Sequence, residues 1–137
     1  MKVIRAGSQA STFANSDSTF TGPVRRDPLV NAEPPGNVMT GMVSFEPCSR
    51  TDWHTHPRGQ ILIVTAGCGW VQSWAQEKQV VRPGDVIWTP AEEKHWHGAT
   101  SSTAMSHIAI TEAVDGKAVE WMEKVTDEQY LSELASE

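Results

Sequence analysis

The chain has 137 residues, 39% hydrophobic and 20% charged, with 10 Gly and 8 Pro, which is one globular domain's worth of sequence, able to bury a core without staples. With 11 Lys and Arg against 17 Asp and Glu the net charge is −6, and the basic stripe of a phosphate-wrapping nucleic-acid binder is excluded. The longest plainly apolar run, residues 61–64, falls far short of a membrane-spanning helix, so no membrane partner is expected.

Residues 1–8 begin with a charge but run straight into polar residues without an apolar h-region, so the cytoplasm is the expected location. Cys48 and Cys68 have no CxxC partner and read as reduced thiols. Residues 1–37 form an arm in which Pro23, Pro28, Pro34 and Pro35 interrupt any long regular element. Within it, 2–5 and 19–21 are expected to pair as short strands at a sheet edge. From Val38 a strand pattern begins, with Met39, Gly41, Val43 and Phe45 alternating against Thr40, Met42, Ser44 and Glu46. Turn signals at 46–49, 56–59, 66–69, 82–85 and 89–90 then separate β-rich runs at 60–65, 70–74, 79–81, 86–89 and 104–111. Short strands at close spacing with no helical period between them predict an all-β sandwich or barrel. Asp115-Gly116 predicts a hairpin turn. Thr126 to Gln129 is a capping box that opens a short helix to about 135, with Tyr130, Leu131 and Leu134 on one face. One domain is therefore expected, with a barrel core at about 38–113, the arm at 1–37 and a C-terminal segment at 114–137.

The ring inventory is lopsided: 6 Trp and 5 His against 1 Tyr and 3 Phe. Four of the histidines form two pairs, His54/His56 and His95/His97. In an extended strand residues i and i+2 share a face, so each pair projects together while Trp53 and Trp96 point the other way. A small closed β fold can bring the two pairs to one cavity. Four buried imidazoles leave polar nitrogens to satisfy, and a divalent metal satisfies them. On 104–111, Met105, His107, Ala109 and Thr111 share one face, opposite Ser106, Ile108 and Ile110. His107 and His97 are candidate general bases, since a neutral imidazole titrates near working pH. Thr51, just ahead of the first pair, is a candidate hydrogen-bonding group for substrate.

Two stretches resemble the motifs of the cupin family. Residues 48–67 follow G(X)5HXH(X)3-4E(X)6G, with Cys48 in place of the first Gly and Gln60 in place of Glu. Residues 84–99 follow G(X)5PXG(X)2H(X)3N, with Glu92 in place of the inner Gly and Ala99 in place of Asn. This resemblance implies a cupin double-stranded β-helix, a jelly-roll barrel, holding one divalent metal through His54, His56, Gln60 and His95. Such a donor set carries no negative charge, which leaves the metal's full charge for exogenous ligands.

A narrower similarity lies in 7–11, 51–69, 93–99 and 115–130, which together resemble the small bacterial cupins with (R)-selective hydroxynitrile lyase activity. It implies a manganese-dependent lyase, iron, nickel or zinc being the other metals to weigh. The substrate would be a small cyanohydrin such as mandelonitrile, or an aldehyde plus cyanide, and the protein a homo-oligomer, dimer or tetramer. Gly41, Val43, Met105 and Ala109 form the expected wall for an aromatic ring. Two other readings stand beside it: an oxygen-activating cupin on iron or nickel, and a non-catalytic metal-dependent binding module.

Overall fold

A computed structural model describes residues 1–17 and 19–136. Two antiparallel sheets curl against each other. The first runs β1 (Thr12–Asn15), β3 (Pro23–Asn31), β4 (Val38–Phe45), β12 (Met105–Glu112), β7 (Gln60–Gly67) and β10 (Val86–Thr89). The second runs β13 (Glu120–Trp121), β6 (His54–Thr55), β11 (His95–Ala99), β5 (Arg50–Thr51) and β2 (Phe20–Thr21). On the other side of β11 lies β8 (Gly69–Ser73), which also pairs β9 (Gln79–Val81). This is the jelly-roll barrel that the cupin resemblance implies, within the all-β class that the turn spacing predicts.

Alternation sorts the side chains. Gln60, Leu62 and Val64 of β7 are buried, while Ile61 and Ile63 are only half-buried on the outer face. Phe20, Val24, Phe45, Val64, Val81, Ala99 and Met105 pack as one core cluster, of which Phe20 also lines a cavity. Trp53 and Trp96 pack with Val125 and Tyr130 in a second cluster, so both tryptophans behind the histidine strands pack internally. Gly98 lets β11 and β5 close together, because a Cβ there would stand 2.4 Å from the Ser49 carbonyl oxygen.

Three expectations are corrected. Residues 2–5 lie outside any strand, and β2 pairs instead with β5. The proline-rich arm contains the nine-residue β3, fully paired with β4 over Val24 to Pro28. Its prolines are tolerated because Pro23 opens the strand and Pro28 sits beside a register shift, past the stretch that β1 covers. The helix is one turn, α1 (Asp127–Tyr130), and only Tyr130 is buried, Leu131 and Leu134 being 63% and 45% exposed. It stops early because Leu134 bridges Lys78 in parallel and the Ala135 N–H donates to the Lys78 carbonyl, which pulls the chain extended. The capping box on Thr126 forms, and the turn at Asp115-Gly116 closes a Val114–Lys117 bridge.

Candidate metal centre

The cross-strand register sets the site. His95 on β11 lies directly opposite His54 on β6, with ring centroids 4.2 Å apart. His56 follows β6, its ring 5.0 Å from His54 and 5.4 Å from His95. His97 lies two residues along β11, 5.2 Å from His54. Gln60 reaches in from the facing sheet, its Oε1 3.4 Å from His95 Nε2. The structure therefore brings together all four paired histidines and Gln60, every one of them buried.

Hydrogen bonds fix which nitrogen of each ring is free. The Nδ1–H groups of His54, His95 and His56 donate to the carbonyls of Asp52 (2.8 Å), Glu93 (2.9 Å) and Ala118 (2.7 Å). A carbonyl only accepts, so each ring carries its proton on Nδ1 and keeps the Nε2 lone pair. Support of this kind is what metal-ligating imidazoles require. His56 Nε2 is buried without a partner. His97 differs: its Nδ1 lies 2.9 Å from His107 Nε2, and its own Nε2 is buried without a partner. The ligating atoms of His54, His95 and His97 all lie within 4.8 Å of one another, so three buried histidines could hold one metal ion. Proximity thus selects His97 as third ligand and the locked tautomers select His56. His56 and His97 each keep a buried Nε2 without a partner, so either ring offers the third nitrogen.

Burial pushes every one of these imidazoles below the ordinary range. It takes His95 and His107 down to about 4, and His54 and His97, crowded also by neighbouring imidazoles, well down. His56 is lowered for the same first reason. All are neutral at pH 7, which a ligand or a base must be.

The site opens into a cavity of about 250 Å³ whose walls include Gly41, Val43, Thr51, His107, Ala109 and Thr111. Thr51 Oγ1 accepts from the His97 backbone N–H at 3.3 Å. Met105 is not on the wall: it opens β12 two residues before His107 and is fully buried in the core cluster, against Gly69. Among the wall groups that escaped the sequence reading, three are large or charged. Phe20 and Trp121 stand at the mouth with ring centroids 6.1 Å apart, and Arg26 caps Phe20 at 5.4 Å from its centroid. The Val24/Arg26 alternation in β3 was the available signal, masked by the neighbouring prolines.

The cupin domain model matches residues 41–111. The chain is 58% identical over 130 residues, 95% of its own length and 98% of the relative's, to an (R)-mandelonitrile lyase of Granulicella tundricola. Among solved structures it resembles a cupin-like protein from Thermotoga maritima at 38% identity and TM-score 0.80, with 95% of each chain covered. A predicted oxalate decarboxylase from the same organism shares the fold at 19% identity and TM-score 0.72, over 82% of this chain and 100% of that one. Motifs, barrel, histidine cluster and these relatives agree: the chain belongs to the cupin family.

Proposed function

We propose that this chain is a metal-dependent carbon–carbon lyase of the hydroxynitrile lyase kind, which cleaves cyanohydrins such as mandelonitrile to an aldehyde and hydrogen cyanide and runs the reverse addition. The observation that carries the reading is one cavity that combines a neutral nitrogen and oxygen donor set with a separate buried histidine pair, in a chain related end to end to an (R)-mandelonitrile lyase. The donors assigned to one divalent ion, manganese, are His54, His56, Gln60 and His95. Their fit rests on three Nδ1-locked rings and on the orphaned Nε2 of His56. A metal bound there supplies Lewis acidity that makes a cyanohydrin hydroxyl easier to deprotonate.

The remaining steps fall to the chain. His97 and His107 share one proton across 2.9 Å, so one donates, the other accepts, and a bare nitrogen is left on the outer side of one ring. That nitrogen takes the hydroxyl proton. The bond between the carbinol carbon and the nitrile carbon then breaks, its electron pair leaves with cyanide, and the carbon–oxygen double bond forms. The new imidazolium faces the leaving anion and returns its proton, giving hydrogen cyanide. Thr51, whose oxygen already accepts from His97, keeps its own hydrogen to donate to the substrate oxygen.

Mandelonitrile cleavage at mildly acid pH by the metal-loaded protein tests the reading, with benzaldehyde release expected and its loss in His107→Ala. No benzaldehyde from the wild type overturns it, and oxygen uptake with diols or enols in its place would select an oxygen-activating cupin. We further infer a cytoplasmic homo-oligomer. A continuous apolar band on the outer face, Trp88 beside Ile61 and Ile110, and Val86 beside Ile63 and Ile108, supports assembly with a second copy. Light scattering that gives the monomer mass would refute it.

A further inference from the structure

The cavity wall is one-sided in charge. Its titratable members other than Arg26 are imidazoles, and no carboxylate is among the lining residues. Among the lining side chains one carries a full charge, the guanidinium of Arg26, which is exposed at the rim. Among the described residues that guanidinium forms no ion pair within 4 Å. Asp17, the carboxylate that its charge reaches at longer range, is already occupied by the Thr19 and Phe20 backbone N–H groups and the Thr19 hydroxyl.

Register shows where Arg26 stands relative to the chemistry. Arg26 on β3 is directly opposite Val43 on β4, and Val43 is directly opposite His107 on β12. The three residues make one row on the inner face, and two strand spacings place the Arg26 backbone about 10 Å from that of His107. Arg26 is also packed over Phe20 at the mouth, 5.4 Å from the ring centroid. A ligand with its reacting carbon beside His107 and its ring between Phe20 and Val43 therefore points its far end at the guanidinium. A planar fork of donors with no internal partner is a carboxylate receptor.

We propose that Arg26 is a specificity-determining residue that pairs with an anionic group on the end of the substrate away from the reacting carbon, so that the preferred substrates are carboxylate-bearing aryl aldehydes and their cyanohydrins. The identity of the reacting end rests on the lyase reading; the anion site does not.

Two measurements on the metal-loaded protein separate these. In the first, 4-(hydroxymethyl)benzoate and benzyl alcohol are titrated calorimetrically. The benzoate binds more tightly, and its advantage over benzyl alcohol falls roughly fivefold in Arg26→Gln, the size expected for an ion pair at a partly exposed mouth. Arg26→Lys keeps most of it, and Arg26→Glu reverses it. In the second, cyanide addition to 4-formylbenzoate and to benzaldehyde is compared, and the kcat/KM ratio of the two falls in Arg26→Gln in step with the binding ratio. Equal affinity of the wild type for the two probes, or a binding ratio that Arg26→Gln leaves unchanged, overturns the anion site even if both aldehydes react. Arg26-dependent binding of the benzoate with turnover of neither aldehyde upholds the anion site and removes the lyase reading.

Discussion

At His54 and His95 one local device is used twice: the ring donates to the carbonyl two residues back, Asp52 in one case and Glu93 in the other. His56 gets the same support from Ala118, 62 positions away in sequence. Loss of a ligand and loss of a base then separate by metal content. His56→Ala is expected to purify with at most a tenth of wild-type metal, by elemental analysis, while His97→Ala keeps most of its metal and loses activity. Metal loss in His97→Ala with retention in His56→Ala would instead identify the trio of closest atoms, His54, His95 and His97. The two glycine positions at which this chain departs from the cupin motifs tell a further story. Cys48 and Glu92 stand there with φ of 71° and 63°, so the backbone keeps the left-handed shape that the motif reserves for glycine. Relief of that strain should make Glu92→Gly more stable by up to about 1 kcal/mol, the lost freedom of glycine in the unfolded chain offsetting part of it. A lower melting temperature would refute this.

Among the elements, the C-terminal segment is where local pattern and site meet. β13 pairs with β6 and lays Trp121 against His54, ring centroids 4.7 Å apart. Cations fasten the segment: Arg50 to Asp127 and to the Val125 carbonyl, each at 2.8 Å, Lys94 to Glu123 at 2.7 Å, and Lys124 to Asp52 at 3.1 Å. Buried Lys78 adds a bond to the Tyr130 carbonyl at 2.7 Å and sits 3.5 Å from the centroid of Trp70. The segment is thus a wall of the cavity and a support for His54 and His56, beyond the packing role that its capping box implies. Thr126→Ala removes that box, in which the Thr126 hydroxyl accepts from the Gln129 N–H at 3.1 Å. It should cost about 1 kcal/mol, or about 3 °C in Tm, with metal content unchanged. A much larger drop, or metal loss, would show that α1 anchors the whole segment.

For the molecule as a whole, the buried histidines set the acid limit. Each has a folded pKa depressed below its unfolded value of about 6.5, so between that value and the folded pKa the unfolded chain binds more protons and stability falls as pH falls. For His95 and His107, down at about 4, the loss is on the order of 3 kcal/mol each across that window. Chelator-treated protein should therefore melt progressively lower from about pH 6.5 to 4, and metal-loaded protein should release its ion in the same window. A Tm flat across it would contradict the neutral burial of these rings.

Periodicity and spacing determined the β class, the shared face of each HxH pair, the opposite face of Trp53 and Trp96 and the capping box, because each depends on residues only a few positions apart; Gln60 as a candidate donor came from the cupin resemblance. Only the tertiary structure decided the rest. It made a proline-rich arm into the strand that carries Arg26 to the mouth, swung Met105 into the core, and brought Ala118 to His56 and His107 to His97. Those are pairings between segments far apart in the chain, chosen by which backbone donors and apolar faces remain to be satisfied once the barrel closes.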